Sequence, residues 1–236
     1  MDTKLELEIL PQPDDSTCGP TCLHALYRYY DRPLGLDRVI SEIVPLETGG
    51  TLAVTLACHA LRHGFDATIY TYNLQVFDPS WFEDSADLAD RIRAQMAAKR
   101  DPKLLLASEA YLEFLSLGGK LRYRELKPGL LREFLEDGKP ILTGLSATYL
   151  YRCERELDSV SDPIRGEPVG HFVVVCGYDR EKREVLVADP LHDNPRYGTR
   201  YYSVGMDRLI AAILLGIVTY DANLLILEPK DSAKAS

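Results

Sequence analysis

Apolar and charged residues alternate over positions 5–9, the two-residue period of a short strand or an extended lead-in. Pro11 and Pro13 keep the chain extended after it. From Cys18 the period lengthens, and Cys18, Cys22, Leu26 and Tyr29 or Tyr30 recur at helical spacing. Asp14, Asp15, Ser16 and Thr17 offer caps for that helix, and Pro20 sits in its first turn, where a missing N–H costs little. Helices are expected over 36–44 and 51–63, the second ended by Gly64. A β-rich run follows at 67–72. Two more helices read at 86–99 and 104–117, broken apart by Arg100-Asp101-Pro102 and closed by Gly118-Gly119. A helix over 128–137 turns through Gly138-Lys139-Pro140 into an apolar strand, 141–145.

The second half reads differently. Residues 151–168 are polar and carry Pro163, Gly166 and Pro168, the composition of a mobile loop. Two β runs, 171–178 and 184–188, are separated by five polar residues and predict a hairpin. A second loop with Pro190, Asn194, Pro195 and Gly198 leads to a helix near 207–215 and a last strand at 223–227. The tail, 229–236, is expected to fray. Helices early and strands late predict an α+β fold, a helical lobe against a mostly antiparallel sheet. We read 1–236 as a single domain, with 73–139 as a helical insertion.

Composition narrows the function. The 236 residues carry a formal net charge of −9, which argues against a nucleic-acid partner. The longest apolar run, 209–218, is about half of the ~20 residues a membrane span needs. Five cysteines, an odd number in a chain of this length, argue against a disulfide framework. No basic-then-apolar leader opens the chain. A cytoplasmic protein with reduced thiols is expected.

Four residues carry candidate chemistry. Cys18 opens a helix, whose positive end favours a thiolate and aims backbone N–H groups at a developing oxyanion. Gly19 behind it would let a substrate approach the backbone. Gln12, six residues upstream, offers an amide donor to the same oxyanion. His171 opens an apolar strand. Asp189 ends the paired strand, so the hairpin brings the two together as an orienting carboxylate requires. Each has a structural alternative: a capped helix start with a buried cysteine, a surface glutamine, a satisfied histidine, an Asp-Pro turn.

The segments Gln12-(five residues)-Cys18-Gly19-Pro20, His171-Phe172-Val173-Val174 and Ala188-Asp189-Pro190 resemble the bacteriocin-processing, double-glycine leader peptidases, in the family's order, over roughly 10–30 and 140–228. That resemblance implies a papain-like cysteine peptidase fold. It implies Cys18 as nucleophile, His171 as base, Asp189 as orienting group and Gln12 as oxyanion donor beside the Cys18 N–H. The substrate would be a peptide or protein, cleaved through a Cys18 thioester, with no cofactor and no metal. The same residues would also serve acyl transfer to an amine, as in a ligase, transpeptidase or transglutaminase-type reaction. A catalytically silent binder of leader peptides is the third reading.

Other residues read as structural. Cys22 and Cys176 are expected in the core. Cys58 and His59 are adjacent on a helix and face apart, so they do not form a joint ligand set. His63 reads as a cap or dipole partner. His192, in the loop after Asp189, is the rival base. Tyr149, Tyr151, Tyr197, Tyr201 and Tyr202 cluster near the cleft loops, either as a substrate groove or as surface aromatics.

Overall fold

The computed structural model describes residues 1–46, 50–83 and 87–230. The expected tail past 230 lies outside them, as does the beginning of the helix expected from 86. The N-terminal half contributes β1 (Thr3–Lys4), α1 (Cys18–Tyr29), α2 (Leu36–Glu42), α3 (Ala53–Arg62), β2 (Phe65–Thr71), α4 (Leu88–Ala98) and α5 (Pro102–Ser116). Then come β3 (Lys120–Arg122), α6 (Pro128–Glu136), β4 (Ile141–Ser146), α7 (Ala147–Tyr151), β5 (Glu156–Leu157) and β6 (Val160–Ser161). Strands β7 (Gly170–Asp179), β8 (Glu184–Ala188), β9 (Tyr201–Gly205), helix α8 (Met206–Leu215) and β10 (Asn223–Pro229) complete the chain.

The main sheet runs β3-β2-β10-β4-β7-β8-β9. Its pairings are antiparallel except β2 with β3. Strand β7 explains the uninterrupted apolar run of the sequence, because helices cover both of its faces. Phe172, Val174 and Cys176 point into one core, with α1, α3 and α5. Val173 and Val175 point into the other, with α6 and α8. This is an α+β arrangement with the N-terminal helices packed on a mostly antiparallel sheet. Among the described residues no helix is long and apolar enough to cross a membrane.

Local signals set most boundaries. Asp101 caps α5, its carboxylate accepting from Leu104 N at 2.7 Å, with Pro102 in the first turn. Gly64 and Gly118 take positive φ after α3 and α5, as helix-ending glycines do. Five short elements escape the sequence reading. Strand β3 has three residues, helix α7 five, and the loop over 151–168 contains the β5–β6 pair. Strand β9 alternates exposed and buried residues, a two-residue period hidden in a stretch that reads as loop. Residues 5–9 form the extended lead-in, tied to the sheet by Leu5 N on Cys176 O at 2.8 Å. Within 73–139, β3 extends the sheet edge and α6 packs beneath β4 and β7.

Candidate active site

Cys18 is the first residue of α1 and is buried, 7% exposed. Its N-cap, Thr17, makes no side-chain cap bond. The Thr17 hydroxyl instead donates to Asp14 O at 3.0 Å and accepts from Asp14 N at 3.2 Å. The first-turn N–H groups of α1 are thus left uncapped by any side chain, beside the thiol. Thr21 Oγ1 donates to Thr17 O at 2.8 Å and fastens the turn from below.

Register places the other two groups. In the β7–β8 ladder Val174 faces Ala188. Asp189 therefore falls opposite position 173, and His171 lies two residues along on the same face, within diagonal reach. His171 Nε2 is 2.8 Å from Asp189 Oδ1. The Cys18 side chain lies near enough to the same ring to favour its charged form. With Nε2 on the carboxylate, Nδ1 is the nitrogen left for the thiol. Three sequence-predicted residues, from the start of a helix and the ends of two strands, converge.

The carboxylate of Asp189 is wholly buried and fully satisfied. Tyr151 Oη and Tyr202 Oη donate to Oδ2 at 2.6 and 2.7 Å, and Leu191 N donates to Oδ1 at 2.9 Å. Burial pushes its pKa up, but the His171 charge and the hydrogen bonds from His171, Tyr151 and Tyr202 outweigh burial, leaving the group below its ordinary 3.8. For His171, burial acts against the charged ring. Asp189, then Cys18, prevails and raises the imidazole from 6.5 to about 10. The charged ring is therefore favoured at neutral pH.

Tyr151 and Tyr202 belong to the tyrosine cluster the sequence shows, but the sequence reading missed that they hold the carboxylate. The tyrosine cluster suggested a groove; two of its members lie buried behind the carboxylate. Tyr197 stacks on Tyr202 with centroids 3.8 Å apart. Tyr201 serves the lead-in, its hydroxyl accepting from Ile9 N at 2.8 Å. Tyr149 stays partly exposed under the Arg208 guanidinium. The one available signal was the aromatic flanking of Asp189, and it could not reveal which hydroxyls reach it.

Gln12 is half-buried. Its backbone N–H donates to Pro190 O at 2.9 Å, which ties its loop to the residue after Asp189. Its side-chain Nε2 donates to Asp14 O at 2.9 Å, and Oε1 is buried without a partner. Gly19 corrects an expectation. A Cβ there would strike Thr51 Oγ1, Leu56 and Phe172, so the glycine serves close packing of α1 on α3 and β7, not substrate approach. His192 is exposed and pairs with its neighbour Asp193 at 2.7 Å, away from the cluster. Cys22 is core, its thiol on Phe172 O at 3.3 Å. All five cysteines are free.

Beside the strand end that carries His171 lies a cleft of about 510 Å³. Ser146, across from Gly170 in the ladder, opens it; Tyr149, Leu215 and Val218 give it apolar walls; Arg152 and Arg208 flank it.

Comparison with known proteins gives three kinds of result. Residues 130–206 match the Peptidase_C39 like family, a span that includes His171 and Asp189. No curated protein matches the chain. Among solved structures, the chain is similar to a protein described as a C39-like peptidase from Bacillus anthracis, at 14% identity and TM-score 0.53, over 96% of this chain and 97% of that one. A double glycine motif protease from an AMS/PCAT transporter, solved in complex with the leader peptide, aligns at 13% identity and TM-score 0.49, over 97% and 96%. Xylellain, a cysteine protease from Xylella fastidiosa, aligns at 16% identity and TM-score 0.47, over 96% and 85%. The Bacillus anthracis structure shares the fold.

Proposed function

We propose that this chain, a member of the Peptidase C39-like family through its segment 130–206, is an active thiol peptidase that cleaves a peptide substrate at Cys18. The observation that carries the reading is the His171 ring held by Asp189 Oδ1 at 2.8 Å, with the Cys18 side chain at the start of α1 near enough to favour its charged form.

The chemistry follows from those contacts. Proton transfer from the Cys18 thiol to His171 gives a thiolate beside an imidazolium, and Asp189 holds the ring in the orientation that exposes Nδ1. The thiolate attacks the scissile carbonyl. The uncapped N–H groups at the start of α1 receive the oxyanion. Gln12 keeps a second amide N–H beyond the one spent on Asp14 O and shares that role. His171 returns the proton to the leaving amine, forming a thioester on Cys18. Water, deprotonated by His171, then adds to the thioester and releases the acid and the free thiol. Tyr151 and Tyr202 keep Asp189 ionised and fixed.

Incubation with a peptide library, with cleavage sites read by mass spectrometry, tests this. Defined cleavage by the wild type, lost in Cys18→Ser and reduced ~100-fold or more in His171→Ala, is the expected result. Gln12→Ala should lower kcat by a similar factor. Cleavage that survives in Cys18→Ser would overturn the proposal.

A further inference from the structure

A second group of chemistry-bearing side chains lies at the far end of α1. His59 and His63 stand four residues apart on α3 and its C-cap, so they share one helix face. Their rings stack with centroids 4.3 Å apart. Glu42, the last residue of α2, meets both: Oε2 is 3.1 Å from His59 Nε2 and 2.7 Å from His63 Nε2. The three ligand atoms all lie within 4.8 Å of one another.

A single carboxylate oxygen flanked by two imidazole nitrogens would suffice for a structural network. The surroundings go further. The remaining atoms of the cluster are themselves held. Tyr27 Oη is 2.8 Å from His59 Nδ1, and Arg38 Nε donates to Glu42 Oε1 at 2.6 Å. Oriented outer partners of this kind fix the tautomer of a metal-bound histidine and the rotamer of a ligating carboxylate. His59 is buried, while His63 and Glu42 keep 26% and 34% side-chain exposure. A cleft of about 370 Å³ against His63, Tyr27 and Phe65 gives a route from solvent.

We infer that His59, His63 and Glu42 bind a divalent transition-metal ion of the Zn²⁺ class, which fastens α2 to α3 beneath α1. Two nitrogens and one oxygen, with no thiolate, suit Zn²⁺, Co²⁺ or Ni²⁺ better than Mg²⁺ or Ca²⁺. Tetrahedral bonds of about 2.0–2.1 Å require ligand atoms about 3.3 Å apart, so the two short contacts open slightly to admit the ion and a water takes the fourth position. The ion uses each Nε2 lone pair, and the ring proton resides on Nδ1. At His59 the Tyr27 hydroxyl accepts it, an exchange of roles a phenol allows. Tyr27 lies nine positions along α1 from Cys18, about 14 Å by helical rise. The ion therefore buttresses the helix that carries the thiol and takes no part in bond cleavage.

The test uses the full chain carrying Cys18→Ser, which removes the candidate nucleophilic thiol as a competing ligand. Zn²⁺ titration by calorimetry should show one equivalent bound and a raised melting temperature. Co²⁺ should give visible d–d bands without a sulfur charge-transfer band. Glu42→Gln and His63→Ala, both at partly exposed positions, should each weaken Zn²⁺ by more than the ~10–100-fold expected for the outer-partner change Tyr27→Phe. Circular dichroism confirms that each variant is folded. No Zn²⁺ binding at millimolar ion, affinity unchanged in folded His63→Ala, or a thiolate band with Co²⁺ would each overturn the inference.

Discussion

Asp189 shows how a single side chain sets the chemistry of its neighbour. Four donors and no solvent surround it, and His171 is the one of them that carries a charge to match its own. That charge, working against burial, raises the imidazole to about 10. The sign of the linkage is definite. For His171 the contribution to stability is complete below the ordinary 6.5 and is lost as pH rises through about 10. For Asp189, lowered from 3.8, it is lost as pH falls below that value. Asp189→Asn should therefore move the alkaline limb of kcat/KM from near pH 10 toward 6.5, together with a loss of rate. An alkaline limb that stays in place in Asp189→Asn would show that the carboxylate does not govern the ring. At this scale the sequence was informative where chemistry rests on local position. Cys18 at a helix start and His171 at a strand start are visible in the order of residues. Tyr151 and Tyr202 were not, because their hydroxyls find Asp189 only after α7 and β9 have docked.

Elements position these residues through close approaches that single side chains would spoil. Gly19 admits Thr51, Leu56 and Phe172 against α1. Gly19→Ala is expected to cost about 1–3 kcal/mol by overpacking, measured by chemical denaturation. Adding Thr51→Ala should recover part of the loss, because Thr51 Oγ1 is the nearest atom and has no hydrogen-bond partner of its own. Additive losses in the double variant would contradict this packing. The turn before β10 holds a second case. Asp221 is buried against Gly144 and Gly170 and accepts from Thr219 Oγ1 at 2.9 Å, with Oδ1 unpartnered. Burial raises its carboxyl from 3.8 to about 7. Its stabilising contribution is complete below 3.8 and is lost as pH rises through about 7. Asp221→Asn should flatten the fall in melting temperature between pH 5 and 8 and leave the variant more stable than wild type at the upper end. An equal pH dependence in both proteins would refute the assignment. Neither packing relation was legible in the sequence. Gly19 looks like room for substrate in the sequence because the neighbours that fill the space lie at or just before the start of α3 and on β7, more than thirty and one hundred and fifty positions away.

Across the whole molecule, the candidate site joins two parts of the chain with different degrees of sequence support. The family match covers 130–206 and so His171 and Asp189. Cys18 and Gln12 come from the N-terminal segment, docked through Gln12 N on Pro190 O and α1 on β7. The layered α+β plan was legible because helical and two-residue periods separate along the chain. The short elements that finish the cleft were not, having too few residues to show a period.

Alkylation of the native protein by iodoacetamide, resolved by mass spectrometry for each cysteine across pH, tests the Cys18–His171 pairing most directly. Exposure alone ranks half-buried Cys153 above Cys18, at 7% exposed, and the other three cysteines are buried as well. The expected result is the reverse: Cys18 reacts first, keeps its rate below pH 8, and slows by at least ~10-fold at pH 6 in His171→Ala, as a thiol of ordinary pKa would. Faster labelling of Cys153 than of Cys18, or a Cys18 rate unchanged by His171→Ala, would contradict it.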